Sequence, residues 1–162
     1  MYVFTPSQEV RLVQITSNPD GTYREGPSPA ELPGRAVTLL QIDGNLFFAA
    51  ADRLEGLLPS PKNADRPVVI LRLRAYESVS STFINVLERY AQQVRERGGR
   101  LMLTGVRPNV KAQLDRTETT EEDLGLENVF VAPEIIGGAT RMALEIAHRW
   151  LEEEKQDGEK EP

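Results

Sequence analysis

Three consecutive hydroxyl residues, Ser80, Ser81 and Thr82, are the side chains of this sequence best suited to chemistry. They come just before a segment that we predict to be a helix. A hydroxyl at that position accepts hydrogen bonds from the free N–H groups of the first helical turn. The positive end of a helix also favours anions, so these residues are candidates to hold a ligand phosphate or to be phosphorylated. The residues alone leave both roles open, and capping is the more ordinary one.

A second candidate turn contains Gly105, in the sequence GVRP. It follows a predicted strand and precedes a predicted helix, which is where open α/β sheets bind ligands. An ordinary connecting turn is the alternative, since such turns are common. Together Ser80, Ser81, Thr82 and Gly105 make up the predicted anion-binding loop.

A docking surface is predicted around Phe47 and Phe48 with Arg72 and Arg74. Adjacent strand residues point to opposite faces, so one of the two phenylalanines is expected in the core. The arginines are expected to cluster in part with others near residues 95–100, because the end of the central strand and the end of the next helix can be neighbours. A solvated surface is the alternative interpretation.

The sequence offers little for catalysis. It has no cysteine and a single histidine, which removes thiolate chemistry and histidine-based metal clusters. No motif holds two carboxylates at the separation that acid–base catalysis needs, and neither the phosphate-loop pattern nor the dinucleotide glycine signature occurs. We therefore expect no enzyme activity, no metal and no cofactor.

The elements that must position these residues alternate along the chain. Strands are predicted at residues 10–15, 37–42, 46–48, 68–71, 101–103 and 128–131 from period-two or continuous apolar patterns. Helices are predicted at residues 49–58, 81–97 and 109–114, and a closing helix places Ala139, Met142, Ile146 and Trp150 on one face. This order implies right-handed crossovers and an α/β fold with a largely parallel sheet.

Two connections carry turn signals. Residues 17–35 contain four prolines and three glycines, which predicts a long surface loop. Asp43-Gly44-Asn45 stands between apolar runs and predicts a hairpin or a bulged bend.

Charge and composition limit the partners. The formal net charge is −6, but residues 152–162 hold six acidic and two basic residues, so the remaining chain has 19 acids against 17 bases. A nearly neutral body without a basic stripe predicts no nucleic-acid binding, and the acidic segment is expected to be a disordered tail. No stretch approaches the roughly 20 apolar residues that span a bilayer.

Three segments in order resemble the STAS domain of a SulP-family anion transporter: LLQIDGNLFFAAADRL from Leu39, VVILRLRAYESVSSTFINVLERYAQQVRERGGRLMLTGV from Val68, and NVF from Asn128. They cover about two thirds of the chain. The element from Gly44 to Phe48 is typical of transporter-linked domains rather than of stand-alone anti-sigma-factor antagonists. The resemblance implies a mixed, mostly parallel sheet of four to six strands with helices packed mainly on one side.

The family motif Asp-Ser-Ser/Thr-Gly corresponds to the candidate loop. Ser80 stands at the aspartate, Ser81 at the residue phosphorylated in the antagonist branch, Thr82 at the second hydroxyl and Phe83 at the glycine. The acid is thus missing and a bulky ring replaces the glycine, which argues against phosphorylation.

The resemblance also implies a domain map and a partner. Residues 1–9 are expected to be a linker after a last membrane span, in a natural chain that begins upstream of Met1, followed by the STAS domain at 10–151 and the tail at 152–162. The expected function is a non-catalytic regulatory domain at the cytoplasmic face of the inner membrane, contacting the membrane domain of the same transporter of sulfate, bicarbonate or a related anion. A regulatory protein or a nucleotide is a further expected partner, and the isolated domain is expected to be a monomer or weak dimer.

Two alternatives remain open on the sequence. One is a stand-alone switch phosphorylated on Ser81, similar to an anti-sigma-factor antagonist. The other is a nucleotide- or anion-binding sensor that uses the turns at residues 79–82 and Gly105.

Overall fold

The computed structural model describes residues 10–44, 46, 50–73, 76–117, 128–131 and 138–159. The predicted linker at 1–9 and the side chains of Phe47, Phe48 and Arg74 lie outside these residues. In chain order the strands are β1 Arg11–Ser17, β2 Tyr23–Pro27, β3 Val37–Asp43, β4 Val68–Arg72, β5 Arg100–Val106 and β6 Val129–Val131. The helices in the described part are α1 Ala50–Leu57, α2 Ser81–Glu96, α3 Pro108–Asp115 and α4 Gly138–Glu159.

One mixed sheet organises the described residues. Its strand order is β2-β1-β3-β4-β5-β6, with β1 antiparallel to both β2 and β3 and the other neighbours parallel. β4 begins with four branched apolar residues, Val68 through Leu71, which are fully buried, as a central strand covered on both faces requires. The predicted α/β class and mixed, mostly parallel sheet are confirmed.

Helices cover the two faces of the sheet unequally. Alternate strand residues such as Leu40, Val69 and Leu71 share one core with buried residues of α1, α2 and α3. The other residues of the same strands, including Val68 and Ile70, form a smaller core with α4. Three helices therefore lie on one face and one on the other, as predicted. The period-two alternation of side chains separates the two cores.

The predicted loop over residues 17–35 is partly wrong, because β2 lies within it. The turn from Asn18 to Thr22 closes a hairpin: Asp20 Oδ1 accepts hydrogen bonds from the backbone N–H (2.9 Å) and the hydroxyl (2.6 Å) of Thr22. Gly21 supplies the left-handed conformation, with φ of 86°. β2 lies at the edge of the sheet, where the exposed side chains Tyr23, Arg24 and Glu25 hide its strand character from an analysis of hydrophobicity.

The second Asp-Gly pair does not close a hairpin in the described residues. β3 ends at Asp43, Gly44 turns with φ of 105°, and Leu46 belongs to no strand although its side chain is buried. β4 rather than a returning strand pairs with β3, in parallel. The chain therefore enters the crossover that contains α1.

The predicted disordered tail is wrong up to Glu159, because α4 continues through residues 152–159. The helix runs antiparallel to β5: Thr140 lies beside Thr104 near the end of β5, and Trp150 lies beside Arg100 at its start. An ion pair of 3.0 Å between Glu154 and Arg66 ties the acidic extension to the loop before β4. Good helix formers and this contact give the acidic segment regular structure despite its lack of apolar residues.

Close backbone contact at the start of β5 depends on Gly99. A Cβ there would overlap the carbonyl oxygen of Pro67 and would lie 2.8 Å from Pro67 Cδ and 2.9 Å from Val94 Cγ1. The turn from α2 into β5 is therefore pressed directly against the residue that precedes β4. Only glycine allows this approach.

Two arginines near that turn have a backbone conformation that disfavours a side chain. Arg35 and Arg66 have φ of 50° and 47°, and they alone among the described non-glycine residues have positive φ. The left-handed region costs an ordinary residue roughly 1–2 kcal/mol. Their ion pairs, with Asp65 and Glu154, are solvent-exposed or partly so, and water weakens such pairs. The ion pairs alone do not explain why arginine occupies both positions.

Replacing Gly99 by alanine should destabilise the domain by roughly 2–4 kcal/mol, because neither the Pro67 backbone nor the packed Val94 side chain can give way freely. Gly56→Ala is the matched control. Gly56 lies in α1 with open space where the Cβ of an alanine would lie, so alanine there should stabilise by about 0.5–1 kcal/mol. Urea unfolding followed by circular dichroism measures both changes, and equal effects would contradict the close approach at Gly99.

Two buried threonines should respond oppositely to valine. Within the described residues Thr38 Oγ1 is buried without a hydrogen-bond partner, so Thr38→Val should stabilise by about 1 kcal/mol. Thr104 is equally buried, but its hydroxyl lies 3.1 Å from that of Thr140, so Thr104→Val should destabilise by about 1 kcal/mol. The same unfolding measurement compares them, and a loss of stability in Thr38→Val would show that its hydroxyl has a partner.

Candidate functional site

The carboxyl ends of three parallel strands meet at one edge of the sheet. Gln41 pairs with Arg72 and Arg72 with Thr104, so β3, β4 and β5 end close together. We call this the carboxyl edge. The connections to α1, α2 and α3 all leave from it, and it carries the predicted anion-binding loop.

Ser80 is the N-cap of α2 and also contacts a neighbouring connection. Its backbone is extended, with φ of −79° and ψ of 158°, and its Oγ accepts a hydrogen bond of 3.2 Å from the N–H of Phe83. The same hydroxyl donates to the carbonyl oxygen of Leu46 at 3.3 Å. Ser80 therefore joins the start of α2 to the connection between β3 and α1.

Gln113 on α3 holds the residue before the cap. Its Oε1 accepts from the backbone N–H of Val79 at 2.9 Å, and its Nε2 donates to the Val79 carbonyl oxygen at 3.0 Å. This two-point contact satisfies both polar backbone groups of a buried residue. The position of the loop before α2 is thus set by α3.

Tyr76 fixes the other side of the same connection. Its buried hydroxyl donates a short hydrogen bond to the carbonyl oxygen of Gly44. Burial, and secondarily the negative charge of Asp43, raises the pKa of Tyr76 to about 12. The phenol stays protonated at neutral pH and can only serve as a donor to this carbonyl.

Ser81 and Thr82 begin α2 with exposed side chains. No hydrogen bond of either hydroxyl to another described residue is present, and the first turn of α2 contains no acidic residue. Nearby, Glu77 and Arg107 form an exposed ion pair of 3.1 Å. The two hydroxyls are open to solvent, whereas Ser80 is engaged. Phosphorylation of Ser81 stays a prediction.

Gly105 lies within β5 rather than in the turn predicted for it. Leu103 pairs with Val129 and Val106 with Val131, so β5 carries one extra residue between these pairs, and Gly105 has φ of 65°. This is a β-bulge, which a glycine accommodates at low cost. Gly105 therefore shapes the end of β5, one residue short of the connection to α3.

Within the described residues, Arg72 lies apart from Arg97 and Arg100, with which it was predicted to cluster in part. Arg72 lies at the carboxyl edge, with its Nη1 3.4 Å from Gln41 Oε1. Arg97 and Arg100 lie at the opposite edge, because parallel pairing sets Arg100 beside Val68 at the start of β4. Arg100 instead contacts Asn128 and lies 5.6 Å from the centre of the Trp150 ring. Of the predicted docking residues, the described part thus contains Arg72 alone.

Sequence reasoning missed the two residues that hold the loop in place. Gln113 lies in a short, polar helix with no distinguishing pattern, and its contact with Val79 spans 34 residues of sequence. The position of Tyr76 soon after a buried strand weakly indicated a role in the structure, since a buried tyrosine hydroxyl needs a hydrogen-bond partner. The identity of that partner, a carbonyl oxygen after β3, depends on tertiary structure.

The mixed sheet and these connections define an α/β domain with its capping hydroxyls at the carboxyl edge. A family model described as "STAS domain" matches residues 30–130. The chain belongs to the STAS domain family, as the sequence resemblance predicted.

The solved structures that are similar to the chain include two proteins named as transporters. The crystal structure of a sulfate transporter family protein from Wolinella succinogenes is 32% identical, with a TM-score of 0.55, and the match covers 72% of this chain and 88% of that one. Murine Solute Carrier 26 family member A9, an anion transporter in the inward-facing state, is 13% identical with a TM-score of 0.61; the match covers 88% of this chain and 22% of that one. At that identity the second likeness concerns the fold alone.

No match was found among curated proteins. Among the helices of the described residues, none is long and apolar enough to cross a membrane.

Ser80→Ala should lower the free energy of unfolding by about 1 kcal/mol, because it leaves the Phe83 N–H without its cap. Ser81→Ala is the matched control and should change stability by less than about 0.5 kcal/mol, as expected for an exposed side chain. Chemical denaturation measures both. Equal losses in the two variants would contradict the assignment of Ser80 as the cap.

Proposed function

We propose that this domain is a non-catalytic regulatory and protein-interaction domain of a SulP-type secondary anion transporter, at the cytoplasmic face of the membrane. The observation that carries the proposal is the likeness to the Wolinella succinogenes sulfate transporter family protein, which extends over most of both chains. The partner is the membrane domain of the same transporter. The transported substrate is sulfate, bicarbonate or a related anion.

The chemistry of the carboxyl edge supports a contact role rather than catalysis. Two of its polar side chains bond to backbone groups: Ser80 to Phe83 and Leu46, and Tyr76 to Gly44.

The carboxyl edge is the surface we propose for docking. Hydrogen bonds from Tyr76 and Ser80 hold the connection from β3 to α1 on both sides of residue 45, and this connection contains Phe47 and Phe48. Arg72 lies at the same edge. Contacts made there by the membrane domain would depend on how firmly this connection is held.

One observation favours the phosphorylation switch as a second candidate. Ser81 is exposed at the N-terminal end of a 16-residue helix, where a phosphoryl group would be electrostatically favoured. Incubation with cellular extract and ATP, followed by mass spectrometry, would then add about 80 Da, the mass of one phosphoryl group, at Ser81. An unmodified Ser81 removes this candidate.

The test of the main proposal uses two tyrosines that make comparable contacts at opposite ends of the domain. The Tyr76 hydroxyl donates to Gly44 at the carboxyl edge, and the Tyr90 hydroxyl donates to the Pro59 carbonyl oxygen at 2.7 Å beyond the far end of α1. Each phenylalanine variant loses one buried hydrogen bond, a cost of about 1 kcal/mol. In the complete gene product reconstituted in vesicles, Tyr76→Phe should lower the rate of anion uptake several-fold more than Tyr90→Phe.

The uptake rates of the two variants distinguish an effect on regulation from an effect on folding stability. Equal loss of uptake in both variants would mean that only folding matters, and unchanged uptake in both would contradict docking through this edge.

Sequencing of the gene upstream of Met1 is the first experiment to make. A reading frame encoding many apolar segments of about 20 residues supports a transporter domain, and its absence contradicts it.

A further inference from the structure

An open groove of about 410 Å³ lies at the edge of the sheet opposite to the candidate site. One wall consists of Arg35 and Arg66, from the connections that lead into β3 and β4. The other wall is the last part of α4, with His148, Leu151 and Lys155. We call it the amino-edge groove.

The side chains that line the groove include three cationic groups and two carboxylates. Arg35, Arg66 and Lys155 line it with His148, against Glu152 and Glu154. Asp65 lies beside it, and the hydrogen bond from Arg35, with the charges of Arg66 and Arg97, lowers the pKa of its carboxyl group. Three guanidinium groups are therefore close enough to act on a single carboxylate.

Both groove arginines already hold an oxyanion of the chain itself. Arg35 Nε lies 2.7 Å from Asp65 Oδ2, and Arg66 Nη1 lies 3.0 Å from Glu154 Oε2. Each guanidinium group thus points an N–H group towards a position from which a carboxylate oxygen can accept a hydrogen bond. Phosphate oxygens accept from guanidinium in the same way.

The backbone supports a role for these side chains beyond their ion pairs. Arg35 and Arg66 both have left-handed φ, where glycine or asparagine would be less strained. Strained non-glycine residues concentrate at sites where the side chain has a function. Two such residues, both arginines, face one groove.

We propose that the amino-edge groove binds a small phosphate monoester, with its phosphoryl group on Arg66 and Arg35 and its apolar part against Leu151. Glu154 is the internal competitor, which occupies Arg66 when the ligand is absent. The site is separate from the carboxyl edge and does not depend on the proposed transporter role. Its volume accommodates an organic group beside the phosphoryl group.

The experiment is a titration of the ¹⁵N-labelled domain with phenyl phosphate at low ionic strength, followed by NMR. We expect shifts of the amides around Arg35, Arg66 and Leu151 that saturate at millimolar ligand or below. Arg66→Gly should weaken binding about tenfold or more, the usual effect of losing a charge-assisted hydrogen bond. Its melting temperature should change little, since glycine relieves the backbone strain and the partly exposed ion pair with Glu154 that is lost contributes little to stability.

Two further variants test the details. Arg141→Ala is the charge-matched control: Arg141 is an exposed residue of α4 outside the groove lining, and its loss should leave the affinity unchanged within about twofold, because exposed charges are screened. Glu154→Gln should tighten binding several-fold, since it removes the competing carboxylate and its charge.

Several results would overturn the proposal. These are the absence of saturable shifts in the groove, shifts confined to the region of Ser81 and Thr82, and an equal loss of affinity in Arg66→Gly and Arg141→Ala. A marked fall in the melting temperature of Arg66→Gly would also do so, because it would make the arginine structural.

Discussion

The structure depends on the parallel alignment of β3, β4 and β5. Hydrogen bonding in register places Val37, Val68 and Arg100 side by side at one edge, and Gln41, Arg72 and Thr104 at the other. Parallel neighbours require a crossover, so each chain segment must leave at the carboxyl edge and return at the amino edge. Each crossover therefore has one turn at the carboxyl edge of the sheet and one turn at the amino edge. The contact of Gly99 with Pro67 holds the amino edge closed where β4 and β5 begin.

Both edges contain ion pairs and bonds from side chains to the backbone, since Glu77 pairs with Arg107 at the carboxyl edge and Arg97 donates to the Ala64 carbonyl oxygen at the amino edge, but the contacts that link separate connections differ. At the carboxyl edge, side chains of Ser80, Tyr76 and Gln113 bond to backbone groups of other connections, across 32 to 34 residues of sequence. At the amino edge, charged side chains meet one another, as in the pairs Arg35–Asp65 and Arg66–Glu154. Neutral bonds to the backbone are directional and are hardly affected by salt, whereas exposed ion pairs exchange readily with solutes. The carboxyl edge is suited to holding a shape, and the amino edge to exchanging a charged ligand.

The buried elements could be predicted because burial leaves a pattern in the sequence. The run VVIL and the spacing of Phe83, Leu87, Tyr90 and Val94 identified β4 and α2, and these residues are buried. β2 was missed because an edge strand needs no apolar alternation. The helical extension past residue 151 was missed because composition alone suggested disorder, while the contact of Glu154 with Arg66 depends on distant residues.

The candidate site shows the same division between local and distant information. The capping role of Ser80 follows from its position before an amphipathic segment, and the structure contains that cap. The contacts that Leu46, Gly44 and Gln113 make with this loop follow only from the packing of α2 and α3 on the sheet. Asp-Gly pairs occur at Asp20, at Asp43 and, within α4, at Asp157, and the outcomes at the first two differ for a physical reason. At Asp20-Gly21 the strands before and after the pair can bond to each other, whereas β3, which ends at Asp43, already has β1 and β4 as neighbours. A strand with both edges occupied cannot accept a returning hairpin partner, so the chain after Gly44 had to cross over, and in this crossover the carbonyl oxygen of Leu46 accepts a hydrogen bond from Ser80, the cap of α2.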